Sequence, residues 1–165
     1  MQSFEVRGGK KLSGDITPQG AKNEALQIIS AVLLTPEKVT IKNIPDIIDV
    51  NLLIELLGEM NVKIGRVSRD TCTFQADDVD IDYLHSEAYH KKSGKLRGSV
   101  MLAGPMLARF KKAYIPRPGG DKIGRRRLDT HSTGFEKLGA YFAYHEEDGI
   151  FHLNAPHLRG THLLL

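Results

Sequence analysis

A chain of 165 residues with 41% hydrophobic and 26% charged residues has the composition of one soluble globular domain. Its formal net charge of +3 is too small to indicate nucleic-acid binding without a concentrated basic patch, and Cys72, as the only cysteine, excludes an internal disulfide. No stretch approaches the length of a membrane span and the first residues lack the apolar core of a signal peptide, so we expect a cytoplasmic protein without a membrane partner.

The chain is predicted to open on two short strands, at residues 4–7 and 12–17, which would form a hairpin-like pair. A helix is predicted after Gly20, because apolar residues then recur at helical spacing. Lys22 and Asn23 would lie in its first turn, where unpaired backbone N–H groups favour an anion. Two interpretations are open: both side chains contact a ligand, or Asn23 caps the helix and Lys22 is a solvated charge.

A second group of elements follows this helix. A strand, a helix capped by Asp49 and two antiparallel strands are predicted at residues 39–44, 50–60, 62–67 and 71–76. Cys72 would be a small buried residue of the last strand. The polar stretch 77–92 has no clear period and is interpreted as a connector without a site.

The same pattern then occurs a second time. Sliding the chain by 74 places Gly20 over Gly94 and Asn23 over Arg97, and the apolar positions of the helix and strand match without a gap. This indicates an internal repeat of roughly 75 residues, each unit reading strand, helix, strand, helix and two strands. Arg97 should therefore also lie at a helix N-terminus, and Asp129 should begin a second helix.

A third copy of the pattern begins near the last residues. Residues 158–160 align with residues 12–14, which predicts a strand at 161–165. The chain is therefore interpreted as a piece of a longer protein, the alternative being a natural short chain with a closing strand. Such a truncation would expose apolar helix surface, and self-association through that surface is the expected consequence.

The densest chemistry lies in residues 116–131, PRPGGDKIGRRRLDTH. A Pro-Gly-Gly turn lets the backbone approach a ligand closely, and Asp121 follows that turn, where an exposed carboxyl could transfer a proton. Charges that can hold phosphate or carboxylate come from Lys122, Arg125, Arg126 and Arg127. An anion-binding loop and a solvated basic surface loop are both consistent with this composition.

Three segments, GAKNEAL, LRGSVMLAGPMLARF and PGGDKIGRRRLDTH, together with the repeat, resemble the UDP-N-acetylglucosamine 1-carboxyvinyltransferases, the enolpyruvyl transferases of the first committed step of peptidoglycan synthesis. The resemblance runs over essentially the whole chain. It implies an α/β fold of two domains, each an inverted α/β barrel of three βαβαββ units with the helices inside. Residues 1–20 would then be opening strands that belong largely to the other domain. The incomplete domain 21–165 would hold repeat units at about 21–77 and 94–156 and the start of a third at 157–165.

The resemblance also implies a reaction, in which the 3′-hydroxyl of UDP-N-acetylglucosamine displaces phosphate from phosphoenolpyruvate by addition and elimination. Asp121 falls on the general acid, which is a cysteine in most members, so fosfomycin, which alkylates that thiol, would have no target. The substrates would be bound by Lys22, Asn23, Arg97, Arg126, Arg127, Leu128, Asp129 and Thr130. The chain alone is expected to be inactive, because the general base and further arginines would come from the part it lacks.

The alternative to a transferase is a basic module that binds RNA or another polyanion without catalysis. It would use the cations between residues 109 and 127, but the aromatic residues do not interleave with them, so no nucleic-acid partner is expected. The seven histidines show no paired ligand spacing, and neither a metal site nor another cofactor is expected.

Overall fold

A computed structural model describes residues 3–117, 128–147 and 149–164, and in them two units of the same architecture follow one another. The first unit contains α1 (Lys22–Ala31), β1 (Lys38–Ile41), α2 (Ile48–Glu59), β2 (Lys63–Arg66) and β3 (Cys72–Gln75). A connector follows with a 3-10 turn (Asp82–His85) and the helix α3 (Glu87–Ser93), and the second unit then begins with another 3-10 turn (Arg97–Leu102). The second unit contains α4 (Ala103–Phe110), β4 (Lys112–Pro116), α5 (Asp129–Lys137), β5 (Tyr141–His145) and β6 (Ile150–Asn154).

The sheets confirm the predicted repeat. Each sheet has three antiparallel strands, in the order β1-β3-β2 and β4-β6-β5, so the last strand of each unit lies in the middle. β1 begins at Lys38 and β4 begins at Lys112, which is again a shift of 74, whereas the later strands β2 and β5 begin 78 residues apart. The two units therefore share strand order and direction, with a longer link before the second helix of the second unit.

One core runs through both units. α1 packs against the turn Arg97–Leu102, and α4 packs against the short 3-10 turn Val32–Leu34 that follows α1. Fully buried members include Ile29, Leu53, Leu57, Phe74, Leu102 and Ile115. Cys72 is buried in β3, as predicted. The helical elements of the two units thus pack against each other.

Both predicted terminal strand segments are wrong. Residues 3–17 have neither helix nor strand, and Phe4 and Leu12 are 97% and 91% exposed. Residues 161–164 form no strand either. No strand of the described residues pairs with these segments, and an isolated hairpin is marginally stable in water. The alternating apolar pattern of these segments therefore does not produce strands.

The stretch 77–92 is more than the predicted connector, because it contains α3 and docks on both units. Tyr89 is buried, and its hydroxyl donates to the backbone O of Tyr114 at 2.9 Å. Lys92 Nζ donates to Glu55 Oε1 at 2.6 Å on α2, and also to Glu59. Hydrogen bonds from Lys92 and from the Tyr83 hydroxyl lower the pKa of Glu59. Burial and the hydrogen bond to the Glu59 carboxylate raise the pKa of Tyr83 to about 12.

Arg109 joins the two units through backbone carbonyls. Its Nη1 donates to the backbone O of Leu33 at 3.0 Å and of Ala76 at 2.7 Å, both in the first unit. Its guanidinium also lies 4.9 Å from the ring centroid of Phe110. The first cation of the basic stretch 109–127 is therefore a structural contact between units.

Replacing Arg109 by methionine is expected to lower the free energy of unfolding by about 1–3 kcal/mol, because two partly buried carbonyls lose their donor. Urea unfolding followed by circular dichroism measures the change. Lys91→Met, which alters an exposed lysine of α3, is the control and should change stability by less than about 0.5 kcal/mol. Equal unfolding midpoints for the two variants would show that Arg109 does not join the units.

Within the described ranges, no helix combines the length and the apolarity that crossing a membrane requires.

Candidate functional site

A cleft of about 340 Å³ opens where several helical elements begin. The starts of α1, α2, the turn Arg97–Leu102 and α5 all contribute residues to its lining. Its lining consists of Lys22, Asn23, Leu26, Gln27, Asp49, Arg97, Gly98, Val100, Met101, Leu128 and His131. Helix N-termini present unpaired N–H groups and the positive end of the helix dipole, so this geometry favours an anionic ligand.

Lys22 and Asn23 lie in the first turn of α1, as predicted. The N-cap residue is Ala21, with extended backbone and no side-chain cap, so the interpretation of Asn23 as the cap is wrong. The side chains of Lys22 and Asn23 line the cleft instead. Contact of both side chains with a ligand stays a prediction.

Asp49 is not the cap that the sequence predicted. α2 starts at Ile48 with Ile47 as its N-cap, which places Asp49 inside the first turn. Its Oδ2 forms an ion pair with Lys22 Nζ, and the two side chains are 38% and 42% exposed. The acid therefore connects the starts of α1 and α2 at the edge of the cleft.

Arg97 begins a 3-10 turn, where the repeat predicted the start of an α-helix. The residue after Arg97 is Gly98, which lies close to α1. A Cβ at Gly98 would lie 2.9 Å from Leu26 Cδ1. Glycine thus permits a close approach between this turn and α1. Arg97 thereby lines the cleft, and its role in binding a ligand stays a prediction.

The segment after the basic loop contributes one of its predicted residues to the cleft. Leu128 is buried and lines the cleft, while Asp129 and Thr130 are exposed in the first turn of α5 and are not part of the lining. Asp121, Arg126 and Arg127, with the rest of 118–127, lie outside the described residues.

The structure therefore brings four predicted site residues together, namely Lys22, Asn23, Arg97 and Leu128. It adds Gln27, which helical spacing could have found because it lies four residues after Asn23 on the same face of α1. It also adds His131, which belongs to the stretch 116–131. The residues described include no group of three His, Cys, Asp or Glu side chains positioned to hold a metal.

Among the residues that the structure describes, the charges that line the cleft are two cations, Lys22 and Arg97, and one anion, Asp49. Leu26, Val100 and Met101 supply apolar surface beside them. A cation pair next to apolar lining can hold a phosphate or carboxylate while a neutral part of the ligand rests on the apolar surface.

A family model described as EPSP synthase (3-phosphoshikimate 1-carboxyvinyltransferase) matches residues 6–164 of the chain. The chain belongs to the EPSP synthase family. The match includes α1, the turn Arg97–Leu102 and α5, which together surround the cleft.

Individual members of the EPSP synthase family are similar along the whole chain. UDP-N-acetylglucosamine 1-carboxyvinyltransferases of Bacteroides thetaiotaomicron and Porphyromonas gingivalis are 58% and 57% identical over 165 residues, and that of Bradyrhizobium diazoefficiens is 41% identical over 162 residues. The predicted resemblance is thereby confirmed. The chain covers 38%, 38% and 36% of these three relatives, so it spans well under half of their length.

A solved structure shows the same fold. The crystal structure of the enolpyruvyl transferase NikO from Streptomyces tendae superposes with a TM-score of 0.72 and 22% identity over 92% of this chain and 32% of that chain. The described residues thus have part of the enolpyruvyl transferase fold of the EPSP synthase family, with helices and antiparallel sheets in a mixed α/β arrangement.

Proposed function

We propose that the chain is part of an enzyme that transfers the enolpyruvyl group of phosphoenolpyruvate to the 3′-hydroxyl of UDP-N-acetylglucosamine and releases phosphate, as the first committed step of peptidoglycan synthesis. The observation that carries the proposal is the 58% identity to a UDP-N-acetylglucosamine 1-carboxyvinyltransferase along all 165 residues. The cleft supports it, because its lysine and arginine suit a ligand with phosphate and carboxylate groups. Both substrates are soluble intracellular metabolites, so a cytoplasmic location is part of the proposal.

The proposed reaction has two steps. In the first, the 3′-hydroxyl oxygen bonds to C2 of phosphoenolpyruvate, C3 takes a proton from Asp121, and the hydroxyl proton goes to a base outside this chain. In the second, C3 returns a proton and the bond from C2 to the phosphate oxygen breaks. Lys22 and Asn23 would contact phosphoenolpyruvate, and Lys22 would stabilise the charge of the departing phosphate.

The sugar nucleotide would bind on the other side of the cleft. Arg97 and Leu128, which both line the cleft, would contact the sugar nucleotide. Arg126, Arg127, Asp129 and Thr130 complete the proposed set on the basis of the resemblance alone. Leu26, Val100 and Met101 offer the apolar surface on which neutral atoms of the sugar could rest.

The complete fold is also part of the proposal. Each domain would be an inverted α/β barrel of three βαβαββ units, and residues 21–165 would supply two units and the start of a third. Residues 1–20 would belong largely to the other domain. The exposure of Phe4, Val6, Leu12 and Ile16, each 89% or more, supports the need for a partner surface there. Without it, this exposed apolar surface would favour self-association of the chain.

Release of inorganic phosphate tests the proposed function. We expect a protein that contains these 165 residues and has the full length of the relatives to release phosphate only when both substrates are present, and the 165-residue chain alone to release none. Turnover by the 165-residue chain would refute the claim that it is incomplete. Oligonucleotide binding with a steep salt dependence, and no response to UDP-N-acetylglucosamine, would instead favour a polyanion-binding module.

Replacing Asp121 by cysteine tests the proposed acid. We expect the active protein to resist fosfomycin and the Asp121→Cys variant to gain one covalently bound fosfomycin, detected by mass spectrometry, because a thiolate is a far better nucleophile than a carboxylate. The parent protein is the control, since the thiol of this segment, Cys72, is buried in β3. A variant that stays unmodified and uninhibited would show that position 121 does not face the substrate.

A further inference from the structure

The Lys22–Asp49 ion pair is the feature of the cleft that the proposed chemistry leaves unexplained. Lys22 is the first residue of α1 and Asp49 the second residue of α2, so the pair spans the starts of two helices. We propose that Asp49 is a positioning residue that holds the Lys22 ammonium where the anionic substrate binds. This inference rests on the proposed function.

Stability does not account for the pair. The side chains of Lys22 and Asp49 are 42% and 38% exposed, and ion pairs open to solvent contribute little to folding. The start of α2 has contacts of its own as well. Asp46 Oδ1 accepts a hydrogen bond from Asn51 Nδ2 at 2.8 Å, and the Asn51 amide donates to the Ile47 carbonyl at 3.0 Å.

The repeat does not account for the pair either. Asp129 stands at the start of α5 as Asp49 stands near the start of α2, so an acid in the first turn is common to both units. A shift of 74 from Lys22, however, leads to Leu96, which is buried. The position that matches Lys22 in the second unit therefore carries no lysine, whereas Lys22 itself lines the cleft.

The charges of the cleft suggest a function for the Lys22–Asp49 ion pair. A carboxylate beside an anion site opposes anion binding, so Asp49 lowers the affinity that Lys22 and Arg97 would otherwise provide. A lysine ammonium on a flexible four-carbon stem needs an anchor to keep one position, and correct placement lowers the barrier of the chemical step. Asp49 thus weakens ground-state binding and favours the reaction.

If Asp49 positions Lys22, its replacement should lower kcat without raising KM. In the form of the protein that releases phosphate, Asp49→Asn is expected to lower kcat on the order of tenfold to a hundredfold, with the KM for phosphoenolpyruvate unchanged or lower. Asp49→Glu, which keeps the charge, should recover part of kcat. Asp46→Asn is the matched control, because this neighbouring acid is not part of the cleft lining, and its kinetics should equal those of the parent.

A second measurement does not depend on activity. NMR relaxation of the Lys22 ammonium nitrogen in the 165-residue chain should show a restricted group in the parent and in Asp46→Asn, and a mobile one in Asp49→Asn. Unchanged ammonium motion in Asp49→Asn would overturn the inference, and so would an unchanged kcat in an active protein. Absence of phosphate release from the parent would count against the proposed function, while the relaxation data would still decide whether Asp49 holds Lys22.

Discussion

Replacing Gly20 by alanine is expected to lower the free energy of unfolding by about 2–3 kcal/mol and to disturb the cleft at the same time. A Cβ at this position would lie 2.0 Å from the backbone O of Asn43 and 3.3 Å from Pro45 Cδ. Both neighbours belong to the rigid link between β1 and α2, so the start of α1 would have to move, and Lys22 and Asn23 with it. Urea unfolding and titration with UDP-N-acetylglucosamine measure the two effects.

Gly134→Ala is the matched control for this change. Gly134 lies inside α5, its backbone φ is not positive, and a Cβ there would meet nothing within 4 Å. Alanine should therefore stabilise the chain by about 0.5–1 kcal/mol, since glycine loses more backbone entropy on folding. If both variants had the parent's stability and ligand response, the close approach of Gly20 to Asn43 would not be a constraint on the fold.

The repeat could be predicted from sequence because the helices, strands and turns of each unit follow from residues that are close together in the chain. The helical pattern of the first unit recurs in the second, β1 and β4 begin 74 residues apart, and the two sheets have the same strand order. The terminal strands could not be predicted correctly, since a strand needs a partner and the alternation of Phe4 and Val6 says nothing about where that partner is. Periodicity predicts which face is apolar, and the surrounding chain decides whether that face is buried.

The cleft was predicted in part for a similar reason. Helix starts follow from local signals, and the repeat relates Asn23 to Arg97, so their convergence could be expected. The partners of individual charges depend on tertiary contacts. Asp49 was predicted as a cap and instead pairs with Lys22, while Arg109 lies in a basic stretch and bonds to two carbonyls of the other unit. Sequence composition does not distinguish such charged residues, although their contacts in the fold differ.

A cleft formed between two units also explains why small changes in packing should alter ligand binding. α1 carries Lys22 and Asn23, the turn Arg97–Leu102 carries Arg97, and the close contact between Gly98 and Leu26 sets their separation. Arg109 joins the second unit to the first through two backbone carbonyls. We therefore expect a change in this contact to alter the geometry of the cleft as well.

Replacing Lys22 by methionine is expected to lower kcat/KM for phosphoenolpyruvate by about tenfold to two-hundredfold, because a hydrogen bond between charged groups is worth about 1.5–3 kcal/mol. Arg97→Met should have a loss of similar size for UDP-N-acetylglucosamine. Steady-state phosphate release by the active protein measures both, and a double-mutant cycle shows whether the two cations act on one bound complex. Coupling is expected, since both side chains line one cleft.

Lys63→Met is the control for Lys22→Met, because it also removes an ion-paired lysine but leaves the cleft intact. Lys63 Nζ lies 2.7 Å from Asp77 Oδ2 at the edge of the first sheet and is not part of the cleft lining, so its removal should leave kcat/KM unchanged. Because the Lys22 and Lys63 pairs are both open to solvent, the two variants should also have similar unfolding midpoints. A Lys22→Met protein as active as Lys63→Met would mean that the cleft at the start of α1 does not bind the reacting anion.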